Sequence, residues 1–294
     1  MPRNRLPRAA LAALTALAGV ITGCASPAQK YDRTARSANI SEARSANISE
    51  HSVQGARFHH KIYRNNQALR GGALHVFIEG DASVRQALRS APPDPTPRHP
   101  LMLRLMQQDK AGAILLGRPC YHGMFATDNC EIRHLGPERY SAEIVESMIK
   151  ALQTELEHSG TKRVVFFGYS GGGTVAFLMA AQYPGAVAVV TLAGNLDNAA
   201  LATYHNSPPL SGSLNPADMA PLPRSILQLH YFGAKDANIP ASLAQKTLNR
   251  QNVPPVIFAE IDHECCWQDV WPDIQTRLYS SLQHSARTLD SQRQ

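Results

Sequence analysis

From residue 56 onward, short β-branched or apolar runs alternate with longer amphipathic stretches, the pattern of a mostly parallel sheet covered by helices. Seven runs predict strands: Phe58–Tyr63, Leu74–Ile78, Gly112–Leu116, Arg163–Phe167, Ala186–Leu192, Ile226–Tyr231 and Val256–Ile261. The stretches between them predict helices. In 141–158, Ile144, Val145, Met148, Leu152 and Leu156 recur at steps of three and four, which places one apolar stripe on a helix lying beside the sheet. Two Pro-rich segments interrupt the alternation. Residues 91–100 hold five prolines and so few N–H donors that a surface loop is expected. Residues 207–223, after the strand ending near Leu192, hold Pro208, Pro209, Pro216, Pro221 and Pro223 and are placed to form a small cap.

The pattern ahead of residue 56 is different. Arg3, Arg5 and Arg8 precede an uncharged run rich in Ala and Leu, Ala9–Ile21, the layout of a secretory signal. At about 13 residues the run is short for a membrane-spanning helix, which needs roughly 20. The next residues, Ile21-Thr22-Gly23-Cys24, resemble a bacterial lipobox, which implies acylation of Cys24 as the mature N-terminus. An ordinary signal peptide cleaved nearby, with Cys24 incidental, is the alternative. Several acyl chains would anchor the protein stably where one binds only marginally. Ala25 rather than Asp at the next position favours, by analogy with enterobacterial sorting, an exported protein on the outer membrane facing the periplasm. Residues 36–51 then repeat an octapeptide, RSANISEA followed by RSANISEH, too short and polar to build a core. The expected organisation is a signal peptide over 1–23, a flexible tether over 24–55 and one catalytic domain over 56–294.

These assignments change the meaning of the charge. A net charge of +6 would by itself suggest a nucleic-acid partner, because basic surfaces attract phosphate. Loss of residues 1–23 removes three arginines and no acid, which halves that charge, and no nucleic-acid motif supports the idea.

Candidate chemistry centres on Gly168-Tyr169-Ser170-Gly171-Gly172-Gly173, which follows an apolar strand and precedes a helical run. In that context G-x-S-x-G is a nucleophile elbow, whose glycines permit the turn that lifts Ser170 above the carboxyl edge of the sheet. No Lys-[ST] pair follows the glycines, which argues against a phosphate loop. A serine nucleophile needs a histidine base, itself oriented by an acid, and the expected order is Ser, acid, His. Of the twelve histidines, His263 in Asp262-His263-Glu264 lies just beyond the last strand. His230 falls inside an apolar strand and reads as a buried, hydrogen-bonded residue, whereas His205 is a possible pocket residue. Asp236 in GAKDANIP follows the preceding strand and is the expected acid; Asp197 is the second candidate, and helix capping is the competing role for either. The oxyanion donors expected are the backbone N–H groups of Gly171 and Asp81, the latter in the Glu79-Gly80-Asp81-Ala82 loop. The Asp81 carboxylate would then have to turn away from the developing negative charge. Asn195 and Asp197 either face the substrate or cap the next helix.

With GYSGGG, the GAKDANIP acid loop and the IDH histidine loop, residues 56–290 resemble the α/β-hydrolase superfamily. The segments IEGD, GRPCYH with a later Cys130, TLAGNLD, SGSLNPAD and HECCW are similar to a bacterial group of exported, often lipid-anchored α/β hydrolases of poorly defined substrate. That group generally carries a Tyr-Trp pair near the second cysteine, where this chain has Glu131-Ile132-Arg133-His134. The resemblance implies an α/β-hydrolase fold and a cofactor-free serine hydrolase acting on a small acyl substrate: carboxyl ester, thioester or amide. Ser170 would attack, His263 would transfer the proton and Asp236 would orient His263. A non-catalytic lipid-anchored binding protein on the same scaffold is the alternative.

Five cysteines are present, so acylation of Cys24 leaves Cys120, Cys130, Cys265 and Cys266, an even set suited to an oxidising compartment. Cys120 with Cys130, Cys265 with Cys266, and cross-pairing such as Cys120 with Cys265 are all open. No metal is expected, since adjacent cysteines beside His263 suit a tetrahedral zinc site poorly. Trp267 and Trp271 are expected on one face at the start of the last helix, packed beneath the histidine loop.

Overall fold

The computed structural model describes residues 48–81, 94–97, 100–128, 130–157 and 159–291. The signal-like segment, Cys24 and the first octapeptide copy lie outside the described residues. Eight strands are described: β1 (Ser49–Gln54), β2 (His59–Arg64), β3 (Ala73–Ile78), β4 (Ala113–Leu116), β5 (Arg163–Tyr169), β6 (Ala186–Leu192), β7 (Leu227–Gly233) and β8 (Val256–Phe258). They form one sheet in the order β1-β2-β4-β3-β5-β6-β7-β8. The first two strands pair antiparallel, β2 joins β4 antiparallel, and the remainder run parallel.

Alternation along the strands sorts side chains to the two faces. Within β5, Val164 and Phe166 join one apolar cluster while Val165 and Phe167 join the other. The first cluster is covered by α3 (Ala142–Leu156), α4 (Gly171–Gln182) and α6 (Gln245–Gln251); the second by α1 (Leu101–Gln108) and α7 (Trp271–Ser291). Burial on both faces explains why the parallel strands read as continuous apolar runs. Helix α3 begins where its sequence directs, with the Ser141 hydroxyl accepting the Ile144 N–H at 3.4 Å. Two shorter helices, α2 (Ile132–Leu135) and α5 (Asn198–Tyr204), sit in the connections. Among the described residues no helix is long and apolar enough to cross a membrane.

Three expectations need correction. The sheet begins at Ser49, inside the segment read as tether, and the end of the second octapeptide copy forms β1. Its six residues are mostly exposed, with Val53 alone buried, so backbone pairing rather than an apolar stripe makes this strand. Next, part of the 91–100 segment is not a surface loop. Asp94 and Thr96 are buried, and Thr96 Oγ1 accepts the His122 N–H at 2.5 Å. Finally, the 207–223 segment, expected as a small cap, supplies none of the residues that line the cavity described below. It braces a neighbouring loop, with the Leu214 N–H donating to the Tyr140 carbonyl at 3.0 Å and the Ser213 hydroxyl to Pro137 at 2.7 Å.

Candidate active site

Strand order reverses about β3: the chain runs from β3 outward to β4, then returns to β5 on the other side. A crevice at such a point, beyond the carboxyl ends of the strands, is where parallel sheets bind ligands. Here Ile78 and Gly168 are paired in register, so the loop after β3 and the turn after β5 emerge side by side. A cavity of about 940 Å³ opens there, lined among others by Asp81, Ser170, Gly171, Asn195, His205 and His263.

Ser170 sits in the turn from β5 to α4 with φ 53° and ψ −123°, a backbone conformation that costs a non-glycine residue energy and projects its side chain from the sheet. Its neighbours must be small. A Cβ at Gly172 would collide with the backbone of Ile78 and Glu79, and one at Gly168 with the backbone of Gly172. His263 Nε2 lies 3.2 Å from Ser170 Oγ, and His263 Nδ1 lies 2.9 Å from Asp236 Oδ2. Because an ionised carboxylate only accepts, Nδ1 carries the proton and Nε2 faces the serine as an acceptor. Burial works against the charge of Asp236, but hydrogen bonds from His263 and from the Ile239 and Asn238 N–H groups hold its carboxyl below the usual range.

Other sequence candidates take different places. Asp197 caps α5, accepting the N–H groups of Ala199 and Ala200, and does not reach His263. Asn195 lines the cavity and donates to Asn198 Oδ1 at 2.8 Å. His205 lines it too, bonded through Nε2 to the Asn238 carbonyl at 2.8 Å. His230 is buried against Thr191, 2.9 Å from its hydroxyl, and burial pushes its pKa down to about 4. The Glu131–His134 segment caps and opens α2 and contributes nothing to the cavity lining.

Gly171 opens α4, where the first N–H groups of a helix have no intrahelical acceptor. The Asp81 side chain does not swing clear of it. Arg118 and Arg139 both pair with the carboxylate, and the Tyr140 hydroxyl donates to it. Burial would raise the carboxyl pKa, but the two guanidinium groups and the phenol hold it below its usual value. One acid facing two arginines leaves the cluster with a net positive charge beside the elbow. No spacing in the sequence signals this cluster, because Arg118, Arg139 and Tyr140 come from loops far from Asp81 along the chain. The same is true of Glu79, buried behind it, whose Oε1 accepts the Leu103 N–H at 3.1 Å and so caps α1.

Cys120 and Cys130 are joined, with Cα atoms 5.8 Å apart, and Cys265 is joined to Cys266 at the cavity wall. Trp267 lies ahead of α7 rather than within it, fully buried, and Trp271 packs edge-on to Phe77 and Phe167.

A family model of the alpha/beta hydrolase fold matches residues 122–221. The chain has the α/β-hydrolase fold. A solved protein from Acinetobacter baumannii described as a lipase is similar at TM-score 0.56 and 14% identity, covering 86% of this chain and 96% of that one. An esterase from Pyrococcus furiosus gives 0.54 and 10% over 81% and 90% of the two chains. The mouse alpha/beta hydrolase domain-containing protein 10 gives 0.52 and 12% over 79% and 99%. No curated protein matches the sequence.

Proposed function

We propose that the protein is a serine hydrolase that cleaves a carboxyl ester, thioester or amide through an acyl-enzyme on Ser170. The observation that carries the reading is the hydrogen-bonded chain Ser170, His263, Asp236, whose first two members line the cavity. The hydrolase names of similarly folded chains support the same class. In the reaction, His263 Nε2 takes the Ser170 proton as Oγ adds to the substrate carbonyl. The oxyanion receives the N–H groups of Gly171 and Asp81. The imidazolium, held by the Asp236 carboxylate, returns the proton to the leaving group, and water then releases the acyl group by the same steps. A lipid on Cys24 would hold this exported domain at a bacterial membrane, with the outer membrane favoured by Ala25.

A fluorophosphonate probe tests the chemistry. Labelling is expected for the wild type, with Ser170→Ala and His263→Ala unlabelled and hydrolysis of p-nitrophenyl esters falling by about 10³-fold or more in each. A wild type that is not labelled would leave a binding protein on a hydrolase scaffold. Varied acyl lengths beside aminoacyl amides then locate the substrate class. Incorporation of palmitate into membrane fractions, abolished by Cys24→Ala, tests the anchor.

A further inference from the structure

His263 lies beyond β8, which ends at Phe258, so strand pairing does not fix its backbone. Its carbonyl oxygen instead accepts two side-chain donors, the Tyr169 hydroxyl at 2.9 Å and Trp267 Nε1 at 3.0 Å. These donors have different origins. Trp267 belongs to the same loop, and its bond closes the turn containing Cys265 and Cys266. Tyr169 ends β5 and is covalently joined to Ser170, so its bond crosses from the strand of the nucleophile to the backbone of the base. The Tyr169 ring also lies 5.2 Å from the imidazole, inclined by 37°.

We infer that Tyr169 is a positioning residue for the base: its hydroxyl sets the distance between Ser170 and His263 by holding the His263 carbonyl. The inference rests on the serine-hydrolase reading. A carbonyl oxygen has two acceptor sites, and both are filled here. Removing one donor leaves the His263 carbonyl held only by Trp267 of its own loop. Since a misplacement of about 1 Å can cost about 10²-fold in rate, a partial loosening is expected to cost roughly tenfold. The Tyr169 hydroxyl is suited to the role. Burial first, then the surrounding carboxylates, raise its pKa, so it remains a donor across the working range of an imidazole base.

Tyr169→Phe retains the ring and deletes the donor. Against a p-nitrophenyl ester, kcat is expected to fall about tenfold with KM within about twofold of wild type, because the lost bond touches the base and not the substrate. In a double-mutant cycle, Tyr169→Phe should cost markedly less in the Asp236→Asn background, as both changes act through His263. The downfield imidazole N–H resonance of His263 gives a reading independent of turnover, and its shift or broadening in Tyr169→Phe is expected. Unchanged kcat and resonance, with additive costs in the cycle, would overturn the positioning role. If Ser170→Ala retained turnover, the serine-hydrolase reading would fall instead, so the two failures are distinguishable.

Discussion

In the proposed reaction a carboxylate beside the developing oxyanion would oppose catalysis, and the groups around Asp81 offset its charge. Arg118 and Arg139 neutralise it, and Tyr140 donates to the same oxygen as Arg139. The side chain thereby serves as a support for its loop, and the proposed oxyanion role falls to the backbone N–H. Asp81→Asn keeps the shape and the backbone N–H, so turnover should stay within a few-fold of wild type, but it removes the charge that Arg118 and Arg139 face and should lower stability. Asp81→Ala should be worse, because it also deletes the acceptor for Arg118, Arg139 and Tyr140. It strands a guanidinium whose side chain is only 2% exposed, and breaking a buried pair from one side costs about 3–5 kcal/mol. Urea denaturation of the two variants checks this; wild-type stability in both would show that the ion pairs are immaterial. Gly171 belongs to the same cluster, because a Cβ there would collide with the Asp81 carboxylate and the Tyr140 hydroxyl. The elbow glycine, legible in the sequence as a turn requirement, is therefore also a packing requirement that only the folded cluster reveals.

At the scale of elements, periodicity served where burial is one-sided or complete. The runs at β5 and β6 are apolar because helices cover both faces, and the stripe of α3 marks its buried side, so both could be read directly. β1 could not. Its sequence, SEHSVQ, buries only Val53, and an edge strand made by backbone pairing leaves no alternation to find. Similarly, Ser, His and Asp were legible because an elbow and two post-strand loops have fixed places in the chain, whereas contacts such as Tyr169 to His263 depend on which loops meet. Glu79 belongs to this second class. It caps α1 across the sheet edge, and burial, only partly offset by the Leu103 and Met102 N–H groups and the charge of Arg104, pushes its pKa up to about 7. Between about 4.5 and about 7 the folded state therefore binds more protons at this carboxyl than the unfolded chain, and stability falls as pH rises through that window. The loss is of order 3 kcal/mol at 1.36 kcal/mol per unit. Glu79→Gln removes the titration. Its unfolding free energy relative to wild type should improve by that order between pH 5 and pH 8, and a constant difference would refute the assignment.

At the scale of the whole molecule, the position of β1 decides where the independently folding unit begins. The strand completes the sheet edge by pairing Ser49–Gln54 with His59–Arg64, and His51 and Arg64 meet on Glu155 of α3, whose side chain is 7% exposed. Thus the last residues of the second octapeptide copy are bonded into the fold at a sheet edge. A chain starting at residue 48 should match the full-length protein in unfolding midpoint and ester hydrolysis. A chain starting at residue 56 loses the burial of Val53, worth about 1.5–3 kcal/mol, and uncovers β2, whose free edge invites pairing between molecules. It should unfold at lower urea concentration and associate as its concentration rises, as light scattering would register. The site lies at β3 and β5, with β2 and β4 between it and this edge. The folded fraction of the shorter chain should therefore keep the wild-type rate of fluorophosphonate labelling. If it instead matched the longer chain in stability, β1 would be an appendage and the domain boundary would return to residue 56.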